Sequence, residues 1–222
     1  MKRKLALLLA LLVCIMSLLP ACGDRYAEEK ATLQGTWQGE IDVTEQANKE
    51  MKDSFLAIIG KNNRQARAVL RKFDRLRLTI KLSVEPDGYY DLAVTEASVR
   101  NCFDQASDLT KGMVVEYCRN RMDAAGKDVL PEDMIEAADE LLSRVDAQMD
   151  TELAAQHVTA ILQDLRQEGY CTITRKGLVL SEEAGGEVLT ICSYAMDDGK
   201  LVLEAKEGTL PDFCPAEMKK IY

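Results

Sequence analysis

The chain has 222 residues, nearly half of them apolar types, and a formal charge of −9. That is enough apolar material for one sizeable core, and the acidic balance argues against nucleic acid as the main partner. Beyond residue 22 there are five cysteines, Cys102, Cys118, Cys171, Cys192 and Cys214, with no CxxC spacing, which argues against a structural zinc site.

Lys2, Arg3 and Lys4 precede an apolar run from Leu5 to Leu19 broken only by Ser17, and Pro20, Ala21 and Cys22 follow. A helix over that run is roughly 22 Å long, short of the ~30 Å hydrocarbon core but suited to the h-region of a cleavable signal. Leu19 at the third position before the cysteine and Ala21 next to it resemble the lipobox of bacterial lipoproteins. The resemblance implies a signal peptide over residues 1–21, diacylglycerol transfer to the Cys22 sulfur, and anchoring at the extracytoplasmic face of the cell membrane. At least two acyl chains give a stable anchor. Without residues 1–21 the chain holds 25 basic and 37 acidic residues, a formal −12, and is repelled by anionic headgroups unless a basic patch faces them. Residues 22–32 are polar and read as a flexible tether, with 33–222 as one domain.

The first predicted strand is Leu33 to Val43, with Trp37, Ile41 and Val43 on one face. Ala47, Met51, Phe55 and Ile59 recur four apart and predict a helix over 45–59 closed by Gly60, followed by a short one carrying Ala66, Val69, Leu70 and Phe73. From Leu76 the period becomes two. Leu76, Leu78, Ile80, Leu82 and Val84 form one strand, Pro86, Asp87 and Gly88 a turn, and Tyr90, Leu92 and Val94 the return strand. Helical period resumes from Val99 to Met122 and ends at Gly126. Pro131 opens another helix, running through Met134, Met149 and Leu153 to Gly169 with a bend near Asp150 and Thr151. Hairpins close the chain, Tyr170–Thr174 with Leu178–Leu180 and Val188–Met196 with Leu201–Ala205, and the tail from Phe213 to Tyr222 reads as a helical turn.

Gly35, Thr36 and Trp37, with the closing hairpins on "GLVL" and "DDGKLVL", resemble the lipocalin-like barrels of bacterial lipoproteins. In that family the Gly-x-Trp strand opens the meander, the tryptophan plugs one end, and the interior holds an apolar ligand. An arginine near the last strand packs on the tryptophan there; the nearest basic residue here is Lys206. The resemblance implies an α+β fold, a partial antiparallel barrel of about seven strands with a helical hairpin inserted at about 97–169.

His157 is the one histidine and sits at fourfold spacing between Leu153 and Ile161, which predicts a partly buried structural role. GxSxG, HExxH and ExxH patterns are absent from the sequence, so serine hydrolase, zincin and di-iron readings lack their minimum parts. No motif calls for a cofactor. Cys171 and Cys192, read as lying in neighbouring strands, are the expected disulfide pair if one forms; Cys102 and Cys118 lie ~24 Å apart along one helix and cannot bond. Residues 61–81 carry a local +7 from Lys61, Arg64, Arg67, Arg71, Lys72, Arg75, Arg77 and Lys81 against Asp74. Arg64, Arg67, Arg71 and Arg75 would share a helical face and could meet the membrane or an anionic envelope polymer. Residues 131–152 carry a local −7. The methionines at 51, 113, 122, 134 and 149 read as core. Two functions stand: a non-catalytic lipoprotein binding an apolar or amphipathic ligand, or an envelope protein that meets a protein partner through its helical hairpin. A small hydrolase is third.

Overall fold

The computed structural model describes residues 26–125 and 151–221, with positions 132, 136, 139–141 and 143 between them. The predicted signal over residues 1–21, Cys22, Met134, Met149 and most of the acidic segment lie outside the described residues. Eight strands follow in order: β1 (Gly35–Asp42), β2 (Arg77–Val84), β3 (Tyr89–Val94), β4 (Arg166–Thr174), β5 (Gly177–Ser181), β6 (Val188–Asp197), β7 (Lys200–Glu207) and β8 (Glu217–Lys220). Each pairs antiparallel with the next, and β8 returns to β1, so the barrel is closed. Helix α1 (Ala27–Leu33) precedes β1; α2 (Thr44–Ile59) and α3 (Arg64–Ala68) join β1 to β2; α4 (Glu96–Ala125) and α5 (Thr151–Asp164) lie between β3 and β4.

Alternation drives the strands. In β2, Leu78, Ile80, Leu82 and Val84 are buried while Arg77 and Lys81 are exposed; the period of two sends one set inward and the other to solvent. Trp37 is fully buried. Its indole N–H donates to the Leu33 carbonyl at 2.7 Å, and the Lys220 ammonium sits 5.1 Å from its ring centroid, within cation–π range. Lys220 also donates to the Thr32 carbonyl at 2.6 Å. The tryptophan, the end of α1 and β8 therefore lock one end of the barrel together.

The register sorts the connections by end. Gly35 faces Val84 and Asp42 faces Arg77, so α1 and the β2–β3 turn share one end, while the α2–α3 and α4–α5 connections leave from the other. At that far end Val99 of α4 and Val158 of α5 join the barrel core. A second core lies outside the barrel, where Met51, Phe55 and Leu56 of α2 meet Ala66, Val69 and Met113, Val114, Tyr117 and Cys118 of α4. Met51 and Met113 are core residues, as their helical spacing predicts.

Several expectations change. The barrel has eight strands, not seven, and is closed rather than partial. The eighth replaces the predicted helical turn of the tail, because Met218 points inward, fully buried, and β8 completes the hydrogen-bonding of both β1 and β7. The tether reading does not hold for residues 27–32, which are helical. The helix predicted to run to Gly169 stops at Asp164, because Arg166, Gln167 and Glu168 pair with Ala93, Leu92 and Asp91. Helix α3 ends at Ala68, so Arg71 and Arg75 do not continue its face. The next amides are taken by side chains: Arg71 N–H by Met113 Sδ at 3.2 Å, Phe73 N–H by Asn48 Oδ1 at 2.7 Å, and Leu76 N–H by Thr44 Oγ1 at 2.7 Å. Those bonds compete with helical ones and hold the segment open.

Gly169 is a strand position opposite Tyr90 rather than a helix stop. A β-carbon there would lie 2.3 Å from the Ser181 carbonyl oxygen and 3.3 Å from the Tyr90 ring. Gly169→Ala is expected to lower stability by about 2–3 kcal/mol in urea unfolding, the usual cost of forcing atoms into a packed core; a loss under about 0.5 kcal/mol would show that the strand pair yields freely.

Candidate functional site

The inward face of β4 runs Gln167, Gly169, Cys171, Ile173. Opposite it Tyr90 of β3 turns its ring into the barrel, in the space that Gly169 leaves by having no side chain. Around the ring are Leu82, Val84 and Leu92 on one side and Leu178, Leu180 and Leu203 on the other, and they enclose an apolar cavity of about 20 Å³. That volume holds one water molecule and no more. A neighbouring cavity of about 100 Å³ lies between α1 and the β2–β3 turn, and shares Leu33, Val84 and Cys171 with the first.

The surface of the cavity is apolar throughout, although two of the residues that line it carry buried polar atoms. The Tyr90 hydroxyl and Gln167 Oε1 are buried, and among the described residues neither has a hydrogen-bond partner. Tyr90 is only 2% exposed. Leaving such groups unpaired costs about 1–3 kcal/mol each.

One wall of the cavity is not a strand. Strand β8 meets β1 only over Trp37–Gly39 and β7 only over Lys200–Val202. Beyond it, between the rest of β1 and β7, the chain from Gly208 to Ala216 closes the side, and its Leu210, Pro211 and Cys214 line the cavity. Gly208 takes a φ of +75, and a β-carbon there would meet the Leu189 carbonyl at 2.3 Å, so glycine is required at this bend. Gly39 has a matching duty, since a β-carbon on it would meet Pro215 and the Glu217 carbonyl at 2.7 Å. The loop lies directly on β1.

The cavity is electrically neutral. Burial pushes the Tyr90 phenol up to about 12, and the nearby Cys171, Cys192 and Cys214 thiols and Glu182 reinforce the rise. Burial also lifts Cys171 to about 11 and Cys214 to about 12. No Lys, Arg or His lines this space. The five cysteines among the described residues are free thiols. Cys171 and Cys192 are not in neighbouring strands, because β5 runs between them, with Leu180 opposite Cys171 and Leu178 opposite Cys192. Cys102 and Cys118 both lie on α4.

The other sequence candidates do not converge on this site. His157 is exposed, not partly buried, since the buried stripe of α5 passes through Val158. Among the described residues no group of His, Cys, Asp or Glu is placed to hold a metal, and no helix is long and apolar enough to cross a membrane. The residues Lys61, Arg64, Arg67, Arg71 and Arg75 are exposed at the helical end. Arg71 pairs with Glu116 at 2.6 Å, and Arg67 donates to the Lys61 carbonyl at 2.9 Å. The aromatic partner of a basic residue is found at Lys220 rather than Lys206, whose amine reaches the Lys176 carbonyl at 3.4 Å. Comparison of the chain with family models, curated proteins and solved structures returns no match.

The raised acidities fix a sign for alkaline pH. An unfolded chain releases its thiol protons near 9 and its tyrosine protons near 10, while the folded chain still holds those of Cys171, Cys214 and Tyr90. The folded state then binds more protons, so stability is complete below about pH 9 and falls above it, by up to about 1.4 kcal/mol per pH unit per group. Urea unfolding at pH 8, 9.5 and 10.5 should show that fall, and Tyr90→Phe should flatten it above pH 10; an identical slope in the variant would place the tyrosine in contact with solvent.

Proposed function

We propose that the protein is a lipid-anchored extracytoplasmic lipoprotein whose lipocalin-like barrel binds an apolar or amphipathic ligand without catalysis. The observation that carries this reading is the apolar cavity inside the closed barrel, lined on one side by Leu210, Pro211 and Cys214 of loop 208–216 rather than by a strand. Ligand pockets are likewise lined mostly by apolar side chains. The eight-stranded meander supports the lipocalin-like likeness, as does the buried Trp37 on the opening strand with a cation from the last strand over its ring. The cavity has room for one water, so on this reading loop 208–216 moves aside to admit the ligand.

The reading predicts that N-phenyl-1-naphthylamine, an apolar dye that brightens away from water, binds the purified protein with one dye per chain at about 10 μM or tighter. No brightening up to about ten times that concentration would overturn it.

The anchor reading rests on the lipobox, and α1 sharpens its consequence. Only residues 23–26 separate Cys22 from α1, a reach of about 14 Å at full extension, so the α1 end of the barrel faces the bilayer. A second reading, action through the helical layer on an envelope partner, draws on the exposed basic segment, which lies at the opposite end. That separation favours an anionic polymer or protein over the anchoring bilayer as its target. Cys22→Ser should move the protein from the membrane to the soluble fraction, and the released chain should not sediment with vesicles of rising anionic-lipid content. Retention in the membrane would overturn the anchor; salt-sensitive vesicle binding would return the basic segment to the bilayer.

A further inference from the structure

The helical layer assembles its basic surface from residues that are far apart in the chain, and their partner follows on the second reading above. Arg71 pairs with Glu116 and Arg67 donates to the Lys61 carbonyl, so both guanidiniums are engaged within the protein. Three lysines are not. Lys49 and Lys52 are exposed on α2, Lys72 is exposed in the open segment after α3, and none of them has a hydrogen-bond or ion-pair partner among the described residues. All three line one open groove of about 700 Å³. Asn48 brings them together, because its Oδ1 accepts from the Phe73 amide at 2.7 Å and its Nδ2 donates to the Phe73 carbonyl at 3.2 Å. That double bond to the backbone lays the segment carrying Lys72 along the face of α2 that carries Lys49 and Lys52.

We propose that this groove binds a flexible polymer bearing phosphate groups, held by the ammonium groups of Lys49, Lys52 and Lys72. The cations are all lysine. An ammonium is a compact point charge that suits a tetrahedral phosphate from any side, whereas a planar carboxylate is matched best by the fork of an arginine. The carboxylates of Asp42 and Glu45 also line the groove, at the N-terminal end of α2, and Asp42 accepts there from the Thr44 amide at 2.9 Å. Lys49 and Lys52 lie about 6 Å and about 10 Å further along the helix axis than Glu45. Repulsion at the first end and attraction at the other place the anion toward Lys52 and Lys72.

The rest of the face separates a polymer from other anionic partners. An interface with a folded protein is anchored by apolar or aromatic side chains that become buried. Residues 44–76 offer none that is fully exposed, since the exposed large apolar side chains among the described residues are Val115, Val188, Leu189 and Val202. A lipid headgroup is disfavoured by position, because this face lies at the end of the barrel away from α1 and its tether.

Linear polyphosphate and polyglutamate of similar length, titrated into the purified protein by calorimetry, test the proposal. Polyphosphate is expected to bind with a slope of log affinity against log salt of about −2, the value for three neutralised phosphates on a flexible strand. Lys49→Gln, Lys52→Gln and Lys72→Gln together should weaken it at least about tenfold and flatten the slope, and should leave the melting temperature unchanged, since the three side chains are exposed and unpaired. Lys61→Gln, Arg67→Gln and Arg71→Gln together remove the same charge outside the groove and should weaken binding less than about threefold. Equal losses in the two triple variants overturn the proposal, for the face would then act through its overall charge. Polyglutamate binding as tightly as polyphosphate overturns it in favour of an acidic protein. If only the second triple variant loses binding, the groove is excluded and the second reading stands without it. If polyphosphate does not bind the parent at all, this proposal falls, while the barrel and anchor readings remain with the dye and fractionation experiments.

Discussion

The fold depends on a closure made with very little strand. Strand β8 is four residues long, yet it joins β1 to β7 and turns an open sheet, with two long unpaired edges, into a barrel with none. Unpaired edges invite association with other chains, so the closing strand carries a larger duty than its length suggests. Its hold comes from side chains as much as from the ladder. Met218 fills the interior, and Lys220 ties Trp37 to the last turn of α1. A cation over an indole contributes about 0.5–1 kcal/mol at an exposed site, while the buried tryptophan contributes several times that by leaving water.

The same shortness creates the candidate site. Because β8 stops at Glu217, the upper halves of β1 and β7 have no strand between them, and loop 208–216 fills the interval. A loop can wall an apolar interior only where its own backbone finds partners. Here the Leu203 amide donates to the Ala216 carbonyl and the Cys214 amide to the Pro211 carbonyl, while Thr190 Oγ1 donates to the Thr209 carbonyl at 2.8 Å. The side chains beneath it are apolar, but Tyr90 and Gln167 are left without bonds that a continuous strand core would not have required. The cost of those two groups is carried by the large leucine core around them.

How much of this is legible in the sequence depends on how many residues speak at once. The hairpin from Leu76 to Val94 and helix α2 each repeat their pattern over several turns or pleats, and they stand where periodicity puts them. Strand β8 offers a single inward apolar residue, too few for any period to show. The start of β4 is concealed by continuity, since Leu162 and Leu165 carry a helical rhythm into Arg166, and only pairing with β3 decides that the chain is extended there. The four arginines from Arg64 to Arg75 are helically spaced, but spacing cannot register that Asn48, Thr44 and Met113 will claim the amides. The polar pair has the faintest signal of all. Once β4 is known to begin at Arg166, parity alone sends Gln167 inward, but the sequence offers no sign that its amide oxygen will find no donor.

Different elements plug the two ends of the barrel. At the α1 end, the Leu33 carbonyl accepts from Trp37, the Thr32 carbonyl accepts from Lys220, and Glu29 accepts from the Tyr194 hydroxyl. At the opposite end Val99 and Val158 bring α4 and α5 into the barrel core, and α4 is held in turn by its second core with α2 and α3. Opening either end means breaking a structure that the rest of the chain stabilises. The side wall is held by its own hydrogen bonds and by Pro215 against Gly39. It is a loop with a glycine at positive φ, and its Leu210, Pro211 and Cys214 fill from inside the interval that the short closing strand leaves between β1 and β7.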